Sequence, residues 1–167
     1  KADLITIAKG MTSGMVPMGG VLVREDIYEA FMTGPEENIE FFHGYTYSGH
    51  PLAAAAGLAT LTVYEEEGLF ARAKSLAPIL EEELQTIKGC PYVIDIRNYG
   101  LLGAVELEPI EGKPTARATG VFRQCFDNGL LVRTTGDTIA LCPPLIASED
   151  QVRTVVQKLK ECLNSID

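Results

Sequence analysis

Leu4-Ile-Thr-Ile-Ala-Lys-Gly-Met-Thr-Ser-Gly14 is the stretch from which the rest of the chain is read. Leu4 to Ala8 is a short apolar run rich in β-branched residues, and the turn-forming segment Gly10 to Gly14 follows it. The stretch therefore reads as a buried strand that delivers Lys9 at its C-terminal end. Open α/β sheets place ligands at the carboxyl ends of their strands. A desolvated lysine there serves as a nucleophile or a Schiff-base partner, whereas one left in water is an ordinary surface cation, and position alone leaves both readings open. No initiator Met precedes this strand, so the chain is expected to begin in mid-domain.

Downstream, Pro17-Met-Gly-Gly20 leads into a second strand, Val21 to Val23, and Glu25 to Met32 suits a short helix with acidic residues in its first turn. Thr33 to Asn38 reads as a surface loop. His43-Gly-Tyr-Thr-Tyr-Ser-Gly-His50 is dense in hydroxyls and aromatics, and Pro51 stands where a helix can begin. An alanine-rich helix is expected over Leu52 to Glu67, closed by Gly68. The next helix, Leu69 to Ile87, places Leu69, Ala73, Leu76, Leu80, Leu84 and Ile87 on one face, with Pro78 as a kink.

From Val93 the period changes. Val93 to Arg97 and Leu101 to Leu107 read as paired strands about a turn at Asn98 to Gly100. Ala116 to Asp127 is a helix stopped by Asn128-Gly129, and Leu130 to Arg133 and Thr138 to Cys142 are strands around the turn Thr134 to Asp137. Ser148 and Gln151 form a capping box for a last helix whose apolar face holds Val152, Val155, Val156, Leu159 and Leu163.

The 167 residues suffice for one domain, or a small domain with part of another. With 46% hydrophobic and 22% charged residues the composition is that of a folded soluble protein. A net charge of -9 opposes binding to nucleic acid or to an anionic membrane, and no apolar run reaches spanning length. Cys90, Cys125, Cys142 and Cys162 are widely spaced and have only His43 and His50 to join them, so neither a metal site nor a disulfide framework is expected. They read as reduced, mostly buried thiols of a cytoplasmic protein.

Two further places could carry chemistry. The loop from His43 to His50 brings backbone N–H groups, the Thr46 and Ser48 hydroxyls and a helix start together, which suits a phosphate; a packed interface loop capped by Pro51 is the alternative. Both histidines are expected to serve as hydrogen-bonding groups. Arg133 ends the apolar run Leu130 to Val132 and could grip a substrate carboxylate, or form an edge-strand salt bridge.

Taken together, Asp3 to Gly14 with Pro17 to Gly20, the loop His43 to Pro51, and Gly129-Leu-Leu-Val-Arg133 with Gly136-Asp-Thr138 resemble class III aminotransferases of the pyridoxal 5'-phosphate (PLP) fold type I. The resemblance extends over essentially the whole chain, including Val93 to Asn98, and is to the ω-amino acid:pyruvate (β-alanine:pyruvate) branch in particular. It implies an α/β fold in which residues 1–68 are the C-terminal portion of the PLP-binding large domain and residues 69–167 a small C-terminal α/β domain with its linking helix. It also implies that the chain corresponds to only the C-terminal part of the enzyme, without the glycine/serine phosphate loop, the ring-stacking aromatic residue and the aspartate that pairs with the pyridine nitrogen.

The resemblance implies roles as well. Lys9 would carry PLP as a Schiff base and shuttle the proton of the reaction, Thr46 would reach the cofactor phosphate of the neighbouring subunit with Tyr45 close by, and Arg133 would take the carboxylate of pyruvate or the amino acid. A homodimer with shared sites is implied. The same scaffold also serves aminomutases, decarboxylases and racemases, and a non-catalytic dimerisation module is the reading from a different class.

Overall fold

The computed structural model describes residues 1–38 and 41–166. The chain divides into two compact units, Lys1–Glu67 and Gly68–Asp167. In the first, strand β1 (Leu4–Ala8) runs antiparallel to β2 (Gly19–Val23), with Leu4 opposite Val23 and Ala8 opposite Gly19. Helix α1 (Glu25–Glu29) stops three residues short of the expected Met32, and helix α2 (Pro51–Glu66) completes the unit.

β1 is where expectation and structure part. The apolar run predicted a buried strand, yet Leu4 is 56% and Ile5 47% exposed. The β1–β2 ribbon is two-stranded, and such a ribbon has too little opposing surface to bury itself. Among the described residues of this unit Ala53 is the only buried hydrophobic side chain, joined by Thr12 and Thr60. Helix α2 explains part of this. Ala53, Gly57 and Thr60 form its buried face, while Leu52, Leu58 and Leu61 leave its other sides apolar and exposed. A helix apolar on every side has the composition of one buried all round.

The second unit is built differently. Helix α3 (Leu69–Gln85), strands β3 (Val93–Tyr99) and β4 (Leu102–Leu107), helix α4 (Ala116–Asp127), strands β5 (Arg133–Thr135) and β6 (Thr138–Leu141), and helix α5 (Glu149–Asn164) follow in order. The strands form one antiparallel sheet, β3-β4-β6-β5. Val105, Leu107, Ile139 and Leu141 alternate with more exposed neighbours, so the sheet buries one face. Leu76, Leu80 and Leu84 of α3 and Val152, Val156 and Leu159 of α5 fill that face, as their spacing predicts. Pro78 lies inside α3 without ending it.

Several boundaries move, α3 for one ending at Gln85 where Ile87 was expected. The β3–β4 turn is Gly100-Leu101 rather than Asn98 to Gly100. β5 begins at Arg133, where the apolar run Leu130 to Val132 predicted that it would end. Leu130 donates its N–H to the Cys125 carbonyl at 2.8 Å, so that N–H closes α4 and is not available to a ladder. β6 ends at Leu141, leaving Cys142 exposed, whereas Cys90, Cys125 and Cys162 are buried. Burial, and secondarily a hydrogen bond with Cys162, pushes the Cys125 thiol up to about 12, which keeps it neutral and unreactive.

The capping box on α5 forms as read: Ser148 Oγ accepts from Gln151 N at 3.2 Å and Gln151 Oε1 accepts from Ser148 N at 2.9 Å. Ser148→Ala is expected to lower the stability of this unit by about 1 kcal/mol, and Ser148→Asp to restore most of it. A urea midpoint that does not move in Ser148→Ala would show that the box contributes nothing.

Candidate active site

Lys9 leaves the end of β1 and starts a 3-10 turn, Lys9–Thr12. Its backbone is left-handed, with φ 54°, and so is that of Ser13, at 49°. Only glycine adopts this region freely, so a lysine there stores about 1 kcal/mol or more of strain, and such strain persists where surrounding contacts over-determine it. Those contacts are visible. Gly14 N–H donates to the Lys9 carbonyl at 3.1 Å, and Ser13 N–H to the Gly10 carbonyl at 3.3 Å. Thr12, 1% exposed, donates its hydroxyl to the Val16 carbonyl at 2.5 Å.

α2 holds the turn from the other side. Tyr64 donates its hydroxyl to the Gly10 carbonyl at 2.7 Å. Gly57 faces the turn, where a Cβ would stand in ordinary van der Waals contact, 3.5 Å from Met18 Sδ and 3.6 Å from the Met11 carbonyl. Tyr64 was not singled out in the sequence. Its spacing from Ala53, Gly57 and Thr60, on one helical face, is the signal that points to it.

Lys9 is exposed rather than desolvated. Its ammonium makes no hydrogen bond or ion pair among the described residues. Of the two readings that position left open, the solvated one describes Lys9 in this unit. What remains is a primary amine without a competing partner on a backbone that cannot relax.

A cavity of about 600 Å³ opens beside this turn. Pro17, Met18 and Gly19 line one side of it, and Tyr45, Ser48 and His50 another; Gly19 faces Ala8 across the ladder, next to Lys9. Lys9 and Thr46 themselves are not among its lining residues. Its volume is that of a small-molecule site. The loop is drawn into a tight turn, with Tyr45 N–H donating to Ser48 Oγ at 2.9 Å and Ser48 N–H to the Tyr45 carbonyl at 2.9 Å. Thr46 and Tyr47 stand at its exposed tip.

The start of α2 is less open than the sequence suggested. His50 Nδ1 accepts from Leu52 N at 3.2 Å, and Pro51 brings no N–H, so the helix supplies its own cap. That is a hydrogen-bonding role of the kind expected for His50. His43 instead packs its ring between Phe41 and Tyr45, at centroid distances of 5.6 Å from each.

Arg133 belongs to the second unit. It is the first residue of β5, an edge strand, opposite Ala140 of β6. The edge-strand salt bridge weighed for it is not formed: its exposed guanidinium has no acidic partner among the described residues. Arg97 and Arg153, by contrast, are engaged, with Glu106 and Asp95 and with Glu149 and Glu83. Arg133 retains a planar five-donor fork available to a carboxylate from outside the chain.

Lys9 and the loop of hydroxyls belong to the first unit and Arg133 to the second. Residues 1–163 match the family described as Aminotransferase class-III, and the chain belongs to that family. It is 50% identical over 165 residues to the omega-aminotransferase of Caulobacter vibrioides, covering 99% of this chain and 38% of that protein. It is 41% identical over 166 residues to the beta-alanine--pyruvate aminotransferase of Pseudomonas aeruginosa, covering 98% of this chain and 37% of that protein. The crystal structure of a transaminase from the marine bacterium Virgibacillus matches with a TM-score of 0.85 and 36% identity, over 98% of this chain and 39% of that one.

The chain thus spans less than two fifths of the length of these relatives. Class III aminotransferases are PLP-dependent enzymes, and their fold is the mixed α/β architecture that the sequence implied. The residues present suit that cofactor. An amine with no competing acid can form a covalent bond to an aldehyde, and the exposed Thr46 hydroxyl can donate to a phosphate oxygen. No helix among the described residues is long and apolar enough to cross a membrane.

Proposed function

We propose that this chain forms the C-terminal part of an aminotransferase that moves an amino group from an ω-amino acid such as β-alanine, or an amine, to pyruvate. The observation that carries the reading is Lys9: a free amine at the end of β1, on a left-handed backbone tied down by Tyr64 and Thr12. Relatives named for pyruvate as acceptor, at 41% and 40% identity, support the substrate class.

Bound PLP supplies an electron sink for the carbon from which the proton is removed. Lys9 provides the amine that holds the cofactor when no donor is present. Once freed, the same amine would take the proton from the donor carbon as base and, as acid, would deliver it to C4′ of the cofactor rather than back to the donor carbon. Thr46 donates its hydroxyl to the cofactor phosphate of a partner subunit, with Tyr45 nearby. Arg133 binds the carboxylate of pyruvate or of the amino acid, and the short hairpin that carries it can let it move aside for amines that lack one.

The deciding experiment is donor-dependent formation of alanine from pyruvate by the full-length protein. A product formed from the donor without any keto acid would instead assign an aminomutase, decarboxylase or racemase. The shared site has its own test. Lys9→Ala and Thr46→Ala homodimers are each expected to be inactive, and mixing the subunits restores activity through the one heterodimer site that keeps both residues. No recovery after verified subunit exchange would place Thr46 in its own subunit's site.

A further inference from the structure

Asp137 is the second residue of the two-residue turn, Gly136-Asp137, that joins β5 to β6. Gly136 turns the chain with φ 59°, and Thr135 faces Thr138 as the last pair of the ladder. Two bonds from Asp137 leave this hairpin for other elements. Its carbonyl accepts from Leu107 N, at the end of β4, at 2.9 Å. Its Oδ2 accepts from Thr115 N, at the start of α4, at 3.1 Å.

Thr115 is the N-cap residue of α4, with φ 67° and no side-chain cap of its own. The carboxylate of Asp137 satisfies the N-cap residue's own N–H and places negative charge where the helix dipole favours it. Its other oxygen, Oδ1, is buried and has no hydrogen-bond partner among the described residues. Burying half of a carboxylate unpaired costs free energy, so the orientation is held by the turn and by the Thr115 contact rather than by satisfaction of the group itself.

The turn matters because of what it carries. β5 is three residues long, lies at the sheet edge, and pairs with β6 alone. Because side chains alternate across a strand, a slip of one residue between β5 and β6 would send Arg133 to the opposite face. So short a ladder resists slippage weakly, and its register depends on the turn.

We propose that Asp137 is a positioning residue for Arg133: by tying the β5–β6 turn to α4 and β4, it locks the register that presents the guanidinium on one face. The proposal rests on the reading of Arg133 as the carboxylate-binding residue.

The test compares Asp137→Ala and Asp137→Asn with Arg133→Ala in the full-length protein, using pyruvate as acceptor and a carboxylate-free amine as donor. Asp137→Ala is expected to raise KM for pyruvate about tenfold, the scale of one lost charge-assisted bond, with KM for the amine shifting less than about twofold. Amide exchange at Thr115 accelerates in the same variant. Asp137→Asn keeps an acceptor oxygen and restores both. If Asp137→Ala does not fold, Asp137→Ser, whose acceptor reaches less far, gives a graded rise in the pyruvate KM.

Acceptor selectivity in Arg133→Ala, with equal losses for both substrates in the Asp137 variants, overturns the positioning role and leaves the Arg133 reading intact. Equal losses in Arg133→Ala itself remove that reading and the proposal with it. A merely structural Asp137 would lower the melting temperature without the split between acceptor and donor.

Discussion

Lys9→Ala in the full-length protein is expected to abolish amino transfer, with kcat falling by at least about 10³-fold, because in the proposed reading the same amine holds the cofactor and moves the proton. Borohydride reduction of the wild-type holoprotein should leave a stable pyridoxyl mass on the peptide containing Lys9, and on no other peptide. Reducible attachment persisting in Lys9→Ala would put the reactive amine elsewhere. The loss need not come from misfolding. Alanine and lysine meet the same steric penalty at φ 54°, so the two proteins should melt within a degree or two of each other. Lys9→Gly should be equally inactive yet more stable than Lys9→Ala, by about 0.5–1 kcal/mol, since glycine adopts that backbone without strain. A less stable Lys9→Gly would mean that the turn stores no strain.

Arg133→Ala is expected to lower kcat/KM for pyruvate by about 10- to 100-fold, the equivalent of losing charged hydrogen bonds of roughly 1.5–3 kcal/mol. A carboxylate-free amine should lose far less. Arg133→Lys should recover only part of the difference, because an ammonium cannot reproduce the two-pronged grip of a guanidinium. Stability should scarcely change, as the side chain is exposed and has no acidic partner among the described residues. Equal losses for acceptor and amine would remove the proposed role.

Net charge shows how little a global quantity says about such a site. The value of -9 argues against polyanionic partners, yet the proposed ligands are themselves anions, a phosphate and a carboxylate. In the proposed reading the phosphate would be met by the Thr46 hydroxyl and the carboxylate by Arg133, which is free of acidic partners among the described residues, while Arg24, Arg97 and Arg153 are neutralised by their own carboxylates.

Much of this was legible because it is local. The capping box at Ser148, the stop at Asn128-Gly129 and the apolar faces of α3 and α5 each depend on residues within a few positions of one another, and each stands where the spacing put it. Lys9 follows β1 for the same reason. The start of β5 was misjudged because Leu130 to Val132 is apolar enough for a strand, while a single hydrogen bond from Leu130 to Cys125 commits it to ending a helix. Apolar character marks burial, and Leu130 and Val132 are buried, but burial does not specify which backbone pairing achieves it.

By itself, then, the sequence determined the order of elements, their caps and the candidate chemical groups, all of which follow from short-range propensity and periodicity. Only the tertiary structure decided that Tyr64 clamps the turn after Lys9 and that Asp137 ties the Arg133 hairpin to α4, contacts bridging 54 and 22 residues. It also decided that β1 is exposed despite its apolar run. The physical reason is common to all three: a hydrogen bond across such a separation, and the burial of a strand face, depend on which surfaces the whole chain brings together, and no local pattern encodes that.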